Sequence, residues 1–334
     1  MFKGKKILVI GGTGSIGSAL VKDILTQKPE TLRIFGRDEY KQSIMQQELS
    51  EHQNVRFLLG DIRDKERVDR AMNEIDIVFN LAALKHVPAC EYDPFEAIKT
   101  NVMGTQNVIE CAMAKNVQKV IYTSSDKAVS PTNTMGATKL LAERLMSSAN
   151  YAKGKSKTVF ASVRFGNVLG SRGSVIPLWQ KQIRENRYVT ITEPDMTRFM
   201  MNIQQAVSLV NKACCISTGG EVFVLKMPVI KLIDLAEVVI ENECENLGIS
   251  PKQVEIKKIG LRPGEKLFEE LMTCQESFGA FENDDLFVIV PHQNEDAAEY
   301  NDLKHAKLGE YSSKNESGIK KSEIWELLRQ AQIL

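Results

Sequence analysis

The chain has 334 residues, with 43 Lys and Arg against 43 Asp and Glu, and is 43% hydrophobic and 26% charged. That is enough for one or two packed domains of ordinary globular composition, and it excludes a disordered or fibrous chain. Zero net charge removes any general attraction to nucleic acid or an anionic membrane surface, so neither is expected as a partner.

The chain opens on a basic hexapeptide, and the apolar run behind it, residues 7–10, is cut at once by Gly11 and Gly12. This run is too short for a secretion signal, and no stretch elsewhere approaches the roughly 20 apolar residues of a membrane span. Residues 6–10 read as a buried strand. Residues 15–26 read as a helix packing through Ile16, Leu20 and Ile24. Between strand and helix runs a GxxGxxG loop that holds Gly11, Thr13, Gly14, Ser15, Ile16 and Gly17, with Gly12 as an extra glycine. Gly11 permits the tight turn, Gly14 lets a pyrophosphate approach the backbone, and Gly17 lets the helix pack close to the strand. The helix then points N–H groups and its positive dipole end at an anion, so a dinucleotide is expected here.

A second strand over 32–35 ends in Phe35-Gly36-Arg37-Asp38-Glu39-Tyr40-Lys41. Arg37 and Lys41 suit a 2′-phosphate and Asp38 suits a ribose diol, so NADP is the expected cofactor and NAD the alternative. Further strands are expected over 55–59, 75–80, 119–123 and 159–164, and helices over 39–52, 65–73, 94–115 and 134–153. Strands alternating with helices of this length predict βαβ units, hence an α/β fold with a Rossmann-type, doubly wound parallel sheet over residues 1–170. Ligands in such sheets sit at the carboxyl ends of the strands.

Beyond residue 170 the rhythm breaks, and 171–334 reads mainly as a smaller substrate-binding lobe interleaved with the first domain. Trp179, Met200 and Met201 read as core or interface. The polar stretch 295–317 reads as a mobile segment or a loose arm. Six cysteines without a CxxC pair read as reduced thiols in a cytoplasmic protein. Four histidines without an HExxH motif give no support for a zinc site.

The glycine spacing resembles the extended short-chain dehydrogenase/reductase superfamily. So do Gly60-Asp61-Ile62, at the adenine contact, and Asn80-Leu81-Ala82-Ala83, at the cofactor wall. In that superfamily a Ser/Thr and a YxxxK motif follow the fifth strand. Here Ser125 is followed by Asp126-Lys127, and the tyrosine position is Met135, four residues before Lys139. Residues four apart share a helical face, so both would face the nicotinamide ribose. A thioether has no proton to exchange and cannot be a general base. The blocks 82–88, 125–128, 136–139, 164–175, 196–199 and 262–266 resemble the UDP-N-acetylglucosamine 4,6-dehydratases, in the form that carries methionine for tyrosine.

That resemblance implies a lyase with a tightly bound nicotinamide cofactor that is regenerated in each turnover. UDP-N-acetylglucosamine is oxidised at C4, loses water across C5–C6 and recovers hydride at C6. The resemblance makes Lys127 the C5 base and Asp126 the C6 acid, with Ser125 orienting the C4 hydroxyl and Lys139 on the ribose. The C4 proton passes to a water relay or to Asp126 working twice. Burial is expected to lower the Lys127 pKa and to keep Asp126 protonated. Substrate contacts implied are Lys85, near sugar or cofactor, Asn167 at the diphosphate, and Arg198, Arg262 and Glu265 around uridine and phosphates. The methionine form implies retention at C5, and the family implies a homo-oligomer, dimer or hexamer. The rival readings are a UDP-sugar 4-epimerase and a non-catalytic NADP sensor.

Overall fold

The computed structural model describes all residues except 172–173, 263, 292–299 and 301–302. The first half alternates as its sequence predicts: β1 (Lys6–Ile10), α1 (Ser15–Thr26), β2 (Thr31–Gly36), α2 (Glu39–Glu48), β3 (Val55–Leu59), α3 (Lys65–Ala71) and β4 (Ile77–Asn80). Two short helices follow, α4 (Val87–Tyr92) and α5 (Pro94–Ala97), then a π-helical turn (Ile98–Met103) leading into α6 (Gly104–Ala114). β5 (Lys119–Thr123), α7 (Thr134–Ala152) and β6 (Val159–Arg164) complete this half.

The second half begins with β7 (Asn167–Val168), α8 (Val175–Asn186), β8 (Tyr188–Ile191), β9 (Thr197–Met201) and α9 (Ile203–Ile216). It continues through β10 (Val222–Leu225), β11 (Val229–Lys231), α10 (Leu232–Leu247), β12 (Glu255–Lys258) and β13 (Glu270–Met272). α11 (Cys274–Ser277), β14 (Ala280–Glu282), β15 (Leu286–Ile289), β16 (Lys304–His305), β17 (Tyr311–Ser312) and α12 (Lys321–Gln330) end it.

Ten of the described strands form one sheet in the order β16-β14-β15-β10-β6-β5-β4-β1-β2-β3. The seven from β10 to β3 run parallel, and β15, β14 and β16 add an antiparallel edge. The order 3-2-1-4-5-6 within it is the doubly wound arrangement. Both faces are covered, which is why β4 is buried throughout its length and β1 nearly so. Alternate residues go to opposite cores: Ile7 and Val9 pack with Leu20 and Ile24 of α1 and with α9, while Leu8 and Ile10 pack with Val108 of α6 and Met146 of α7. A third core joins α8, α10 and α12 around Trp179, with Met200 in it, whereas Met201 belongs to the first.

Three expectations change. The helix read over 94–115 is interrupted by the π turn, where the Asn101 side chain turns inward to hold the Leu84 backbone. α4 went unread because six residues are too few to show a helical period. Of the stretch 295–317, residues 295–299 and 301–302 lie outside the described residues, and the remainder is no loose arm. Tyr300 is buried and donates to Glu221, β16 extends the sheet edge, and β17 pairs with β13. Strands β14 and β13 would otherwise present unpaired N–H and C=O groups, which this segment satisfies.

Candidate active site

A cleft of about 210 Å³ opens at the carboxyl ends of β1 to β4. Gly11, Thr13 and Gly14 line one side, Arg37, Asp38 and Lys41 the second, and Asp61, Ile62, Ala82 and Ala83 the third. Gly11 has φ +81°, and a Cβ there would lie 2.9 Å from the Ala82 nitrogen. A Cβ on Gly17 would lie 2.4 Å from the Gly11 carbonyl, so only glycine lets α1 approach the loop. α1 has no side-chain cap and no acid in its first turn, so its own sequence does not neutralise the positive end of its dipole. Ser15 opens α1, and Ile16 packs against the core behind it. The cradle fits a dinucleotide in shape and polarity, and the buried Thr100 Oγ1 on its wall has no hydrogen-bond partner.

At the rim, Asp38 caps α2 by accepting from the Lys41 N–H at 3.0 Å and also pairs with the Lys41 ammonium. The Arg37 side chain is 58% exposed and 3.8 Å from Asp61. Asp61 is clamped by Arg63, whose Nη2 donates at 2.8 Å; burial opposes this, but Arg63 holds the carboxyl below its ordinary range. Asn101 supports the opposite wall. It accepts from the Leu84 N–H, donates to the Leu84 carbonyl, and donates to Thr138 on α7 at 2.9 Å. Lys85 lies exposed in the same loop.

Beside the cleft, β5 delivers Ser125, Asp126 and Lys127 in a short 3₁₀ turn. The Asp126 N–H donates to the Phe165 carbonyl at 3.1 Å, fixing the turn on the chain leaving β6. The Ser125 hydroxyl donates to Asp126 Oδ1 at 2.7 Å, and Lys127 Nζ donates to Oδ2 at 2.9 Å. Asp126 is only 3% exposed. Burial alone would raise its pKa, but Lys127 and Ser125 outweigh it and hold the carboxyl below the ordinary range. Burial alone would lower Lys127, but Asp126 and Glu269 outweigh it and push the ammonium up. Both directions reverse the sequence-based expectation, because each group's burial is offset by its partner.

Glu269, which the sequence reading did not single out, completes the cluster. Its carboxyl is 3.7 Å from Lys127 Nζ and 3.4 Å from Arg198 Nε. It accepts from Asn167 Nδ2 at 2.7 and 2.9 Å and from the Phe199 N–H at 3.0 Å. Burial and the Asp126 carboxylate push it up to about 7, and a hydrogen bond from it helps to keep Asp126 ionised. Two carboxyls this close share a proton more readily than both ionise.

Met135 and Lys139 are both buried on α7. Met135 is buried in a small apolar cluster with Cys90 and Ala97, flanked by Leu84 and Val87. Lys139 Nζ donates to the Thr123 carbonyl at 2.8 Å and lies 4.7 Å from the centre of the Tyr122 ring; burial lowers its pKa to about 8, against Glu143. Of the substrate candidates, Asn167 is turned to Glu269. Arg198 braces the carbonyls of Thr197 and Lys266, at 2.8 and 2.9 Å. Glu265 closes its own turn by accepting from the Arg262 N–H at 3.2 Å. That turn docks through the Gly264 carbonyl on Thr132 and Asn133, just ahead of α7. Among the described residues no group of His, Cys, Asp and Glu could hold a metal ion.

The polysaccharide biosynthesis protein family matches residues 7–291. An uncharacterized membrane protein of Methanocaldococcus jannaschii is 51% identical over 333 residues, covering 100% of this chain and 98% of that one. Among the described residues no helix is long and apolar enough to cross a membrane. A UDP-glucose 4-epimerase of Rickettsia bellii is 40% identical over 98% of this chain and 96% of its own length. A UDP-N-acetylglucosamine 4,6-dehydratase (inverting) of Campylobacter jejuni is 40% identical over 87% and 84%. The X-ray structure of Pen from Bacillus thuringiensis superimposes with a TM-score of 0.93 at 51% identity, covering 100% of this chain and 99% of that one. DesIV of Streptomyces venezuelae, a dTDP-glucose 4,6-dehydratase solved with NAD and TYD bound, shares the fold at 19% identity and TM-score 0.68, over 78% and 86% of the two chains.

Proposed function

The chain belongs to the polysaccharide biosynthesis protein family and has the extended short-chain dehydrogenase/reductase fold, and from that premise we propose that it is a UDP-N-acetylglucosamine 4,6-dehydratase. The observation that carries the reading is the ion pair between buried Asp126 and half-buried Lys127 beside a dinucleotide-shaped cleft. A dehydration needs a proton donor at C6 and a base at C5, and an epimerisation needs neither. A bound nicotinamide supplies the redox chemistry, removing hydride from sugar C4 and returning it at C6. Asp126, ionised in the free protein, takes the C4 hydroxyl proton with Ser125 as its orienting partner. It later gives that proton to the departing C6 hydroxyl. Lys127 acts at C5. Lys139 and Lys85 contribute positive charge on the cofactor and sugar side, and Arg262, Arg198 and Glu265 shape the nucleotide side. All six cysteines are free thiols, which fits a cytoplasmic protein. Exposed Phe95, Met103 and Leu141 on neighbouring helices fit a homo-oligomer.

The test is proton NMR of the purified protein with UDP-N-acetylglucosamine in deuterated water, without added cofactor. A 6-deoxy-4-keto product carrying deuterium at C5 is expected, and its ring couplings distinguish retention from the inversion named for the Campylobacter relative. UDP-N-acetylgalactosamine would instead make the protein an epimerase, as named for the Rickettsia relative. Untouched substrate, even with NAD and NADP supplied, would overturn the UDP-N-acetylglucosamine dehydratase reading and leave a different nucleotide sugar or a sensor.

NADP is the proposed cofactor, because Asp38 is engaged by α2 and Lys41 while Arg37 extends at the rim. Arg37→Ser is expected to weaken NADP binding by about 10- to 100-fold, the worth of a charged hydrogen bond, and to leave NAD binding nearly unchanged. Calorimetric titration with each cofactor checks this; an equal effect on both would remove the argument for NADP.

A further inference from the structure

Dehydration by this chain poses a problem of proton inventory. Lys127 must be a neutral amine when it removes the C5 proton, yet in the free protein it is an ammonium paired with Asp126 at 2.9 Å. Asp126 cannot relieve it, since Asp126 takes the C4 hydroxyl proton and must keep it for the C6 oxygen. Three charged groups face Glu269: Asp126 and Lys127 from the turn after β5, and Arg198 from β9. Its remaining partners are the neutral donors Asn167 and the Phe199 N–H. The neighbouring acids are turned elsewhere, Glu265 towards Arg198 and Glu270 towards Lys266.

We propose that Glu269 accepts the ammonium proton of Lys127 and so frees the Lys127 amine to work at sugar C5. The assignment rests on the dehydratase reading. Once Asp126 has been neutralised by the C4 proton, Lys127 loses its counter-charge and the Glu269 carboxylate, at 3.7 Å, is the carboxylate left beside it. A Lys127 N–H bond breaks and a Glu269 O–H bond forms. The C5–H bond then breaks, its proton goes to Lys127, and the electron pair enters the enolate of the 4-ketone. The C6–O bond breaks as Asp126 protonates the oxygen and water leaves. With hydride restored at C6 from a bound nicotinamide, the resulting C5 enolate takes the Lys127 proton, and Glu269 returns its own to Lys127. Charge and protons balance over the cycle, since the C4 proton leaves in the water. Burial, the larger cause of the raised Glu269 pKa in the free protein, persists once Asp126 is neutral, so the carboxyl can still hold and release a proton. Glu269 is therefore a positioning residue that acts through Lys127.

The experiment compares wild type, Glu269→Gln and Glu269→Asp as full chains. In wild type, kcat/KM is expected to rise with pH through about 7 as Glu269 of the free enzyme ionises. Glu269→Gln should lower kcat by about 10²-fold or more and lower C5 exchange in deuterated water with it. The pH limb should disappear, and the 4-keto sugar with its C6 hydroxyl intact should accumulate. Infrared titration of the cofactor-loaded protein without substrate should show one carboxylic band, lost near pH 7 and absent from Glu269→Gln. A merely structural role would lower the rate but leave the pH limb in place. If Glu269→Gln does not fold, Glu269→Asp serves, and a limb with an unmoved midpoint overturns the assignment. Wild-type turnover with a variant that keeps its rate, C5 exchange and pH limb overturns the Glu269 assignment alone. Absence of any 4-keto product from wild type overturns the dehydratase reading and this one with it.

Discussion

Asp126→Asn is expected to lower formation of the 6-deoxy-4-keto product by at least about 10³-fold, within the range that positioned acid–base groups contribute. Asparagine keeps the shape and can still accept from Ser125, but its amide neither takes a proton from the C4 hydroxyl nor gives one to the C6 oxygen. Because both steps use Asp126, the variant should stall before the sugar is oxidised. A single-turnover experiment in deuterated water should therefore show neither 4-keto sugar nor deuterium at C5. Lys127→Gln should differ: Asp126 remains, so 4-keto sugar forms while C5 exchange is lost. If Asp126→Asn still oxidises C4 at the wild-type rate, the double use of Asp126 fails and the C4 proton leaves by a water relay past Ser125. The substitution also leaves the Lys127 ammonium facing only Glu269, at 3.7 Å, so a thermal melt should accompany the rate.

Arg164→Met is expected to have the largest effect on stability. Arg164 is fully buried on β6, with its guanidinium between Glu143 of α7 and Glu276 of α11. It donates to Glu276 at 2.9 and 3.0 Å and to the Leu271 carbonyl at 2.8 Å, besides a close pair with Glu143. Methionine would leave two carboxylates without their cation, at 1% and 12% side-chain exposure. Removing one partner of such a network costs about 3–5 kcal/mol, or roughly 10 °C in Tm for a chain of this size. The pH dependence has a definite sign. In wild type, burial would raise Glu276, but Arg164 outweighs it and holds the pKa low, so this contribution is present above the ordinary glutamate range and fades as pH falls. In the variant Glu276 loses its main cation and keeps only Arg144 at 3.9 Å, so burial raises its carboxyl instead, and stability drops as pH rises through its folded-state value. The Tm deficit should thus be smaller near pH 5 than near pH 8. Adding Glu143→Gln and Glu276→Gln should recover most of it, and a deficit independent of pH would contradict the account.

The parallel sheet was legible because its central strands are short apolar runs bounded by turn residues, a pattern that burial on both faces imposes. The glycine loop was legible for a local reason: the positive φ at Gly11 and the close contact of Gly17 with Gly11 and Gly12 lie within a few residues. The π turn was not, since Thr100 and Asn101 look like ordinary helix positions until Asn101 is seen clamping Leu84. Met135 read as facing the ribose, by analogy with a tyrosine at its place; the packing of its thioether with Cys90 and Ala97 was not legible, because those residues lie about 40 positions away. Glu269 had only one clue, an acid at the start of the buried Glu269-Glu270-Leu271-Met272 segment, where a carboxylate without partners would be too costly.

The sequence by itself determined which chemical groups stand in the turn after β5, the alternation of strands and helices in the first half, and the glycine loop between β1 and α1, because these follow from periodicity and from residues close along the chain. Only the tertiary structure decided the charge states. Asp126 is an anion and Lys127 a cation because each offsets the other's burial, and Glu269 is close to half-protonated near pH 7 because the fold brings it from a distant segment to that pair. Coulomb energies depend on separation and on exclusion of water, and neither is written in the order of residues along the chain.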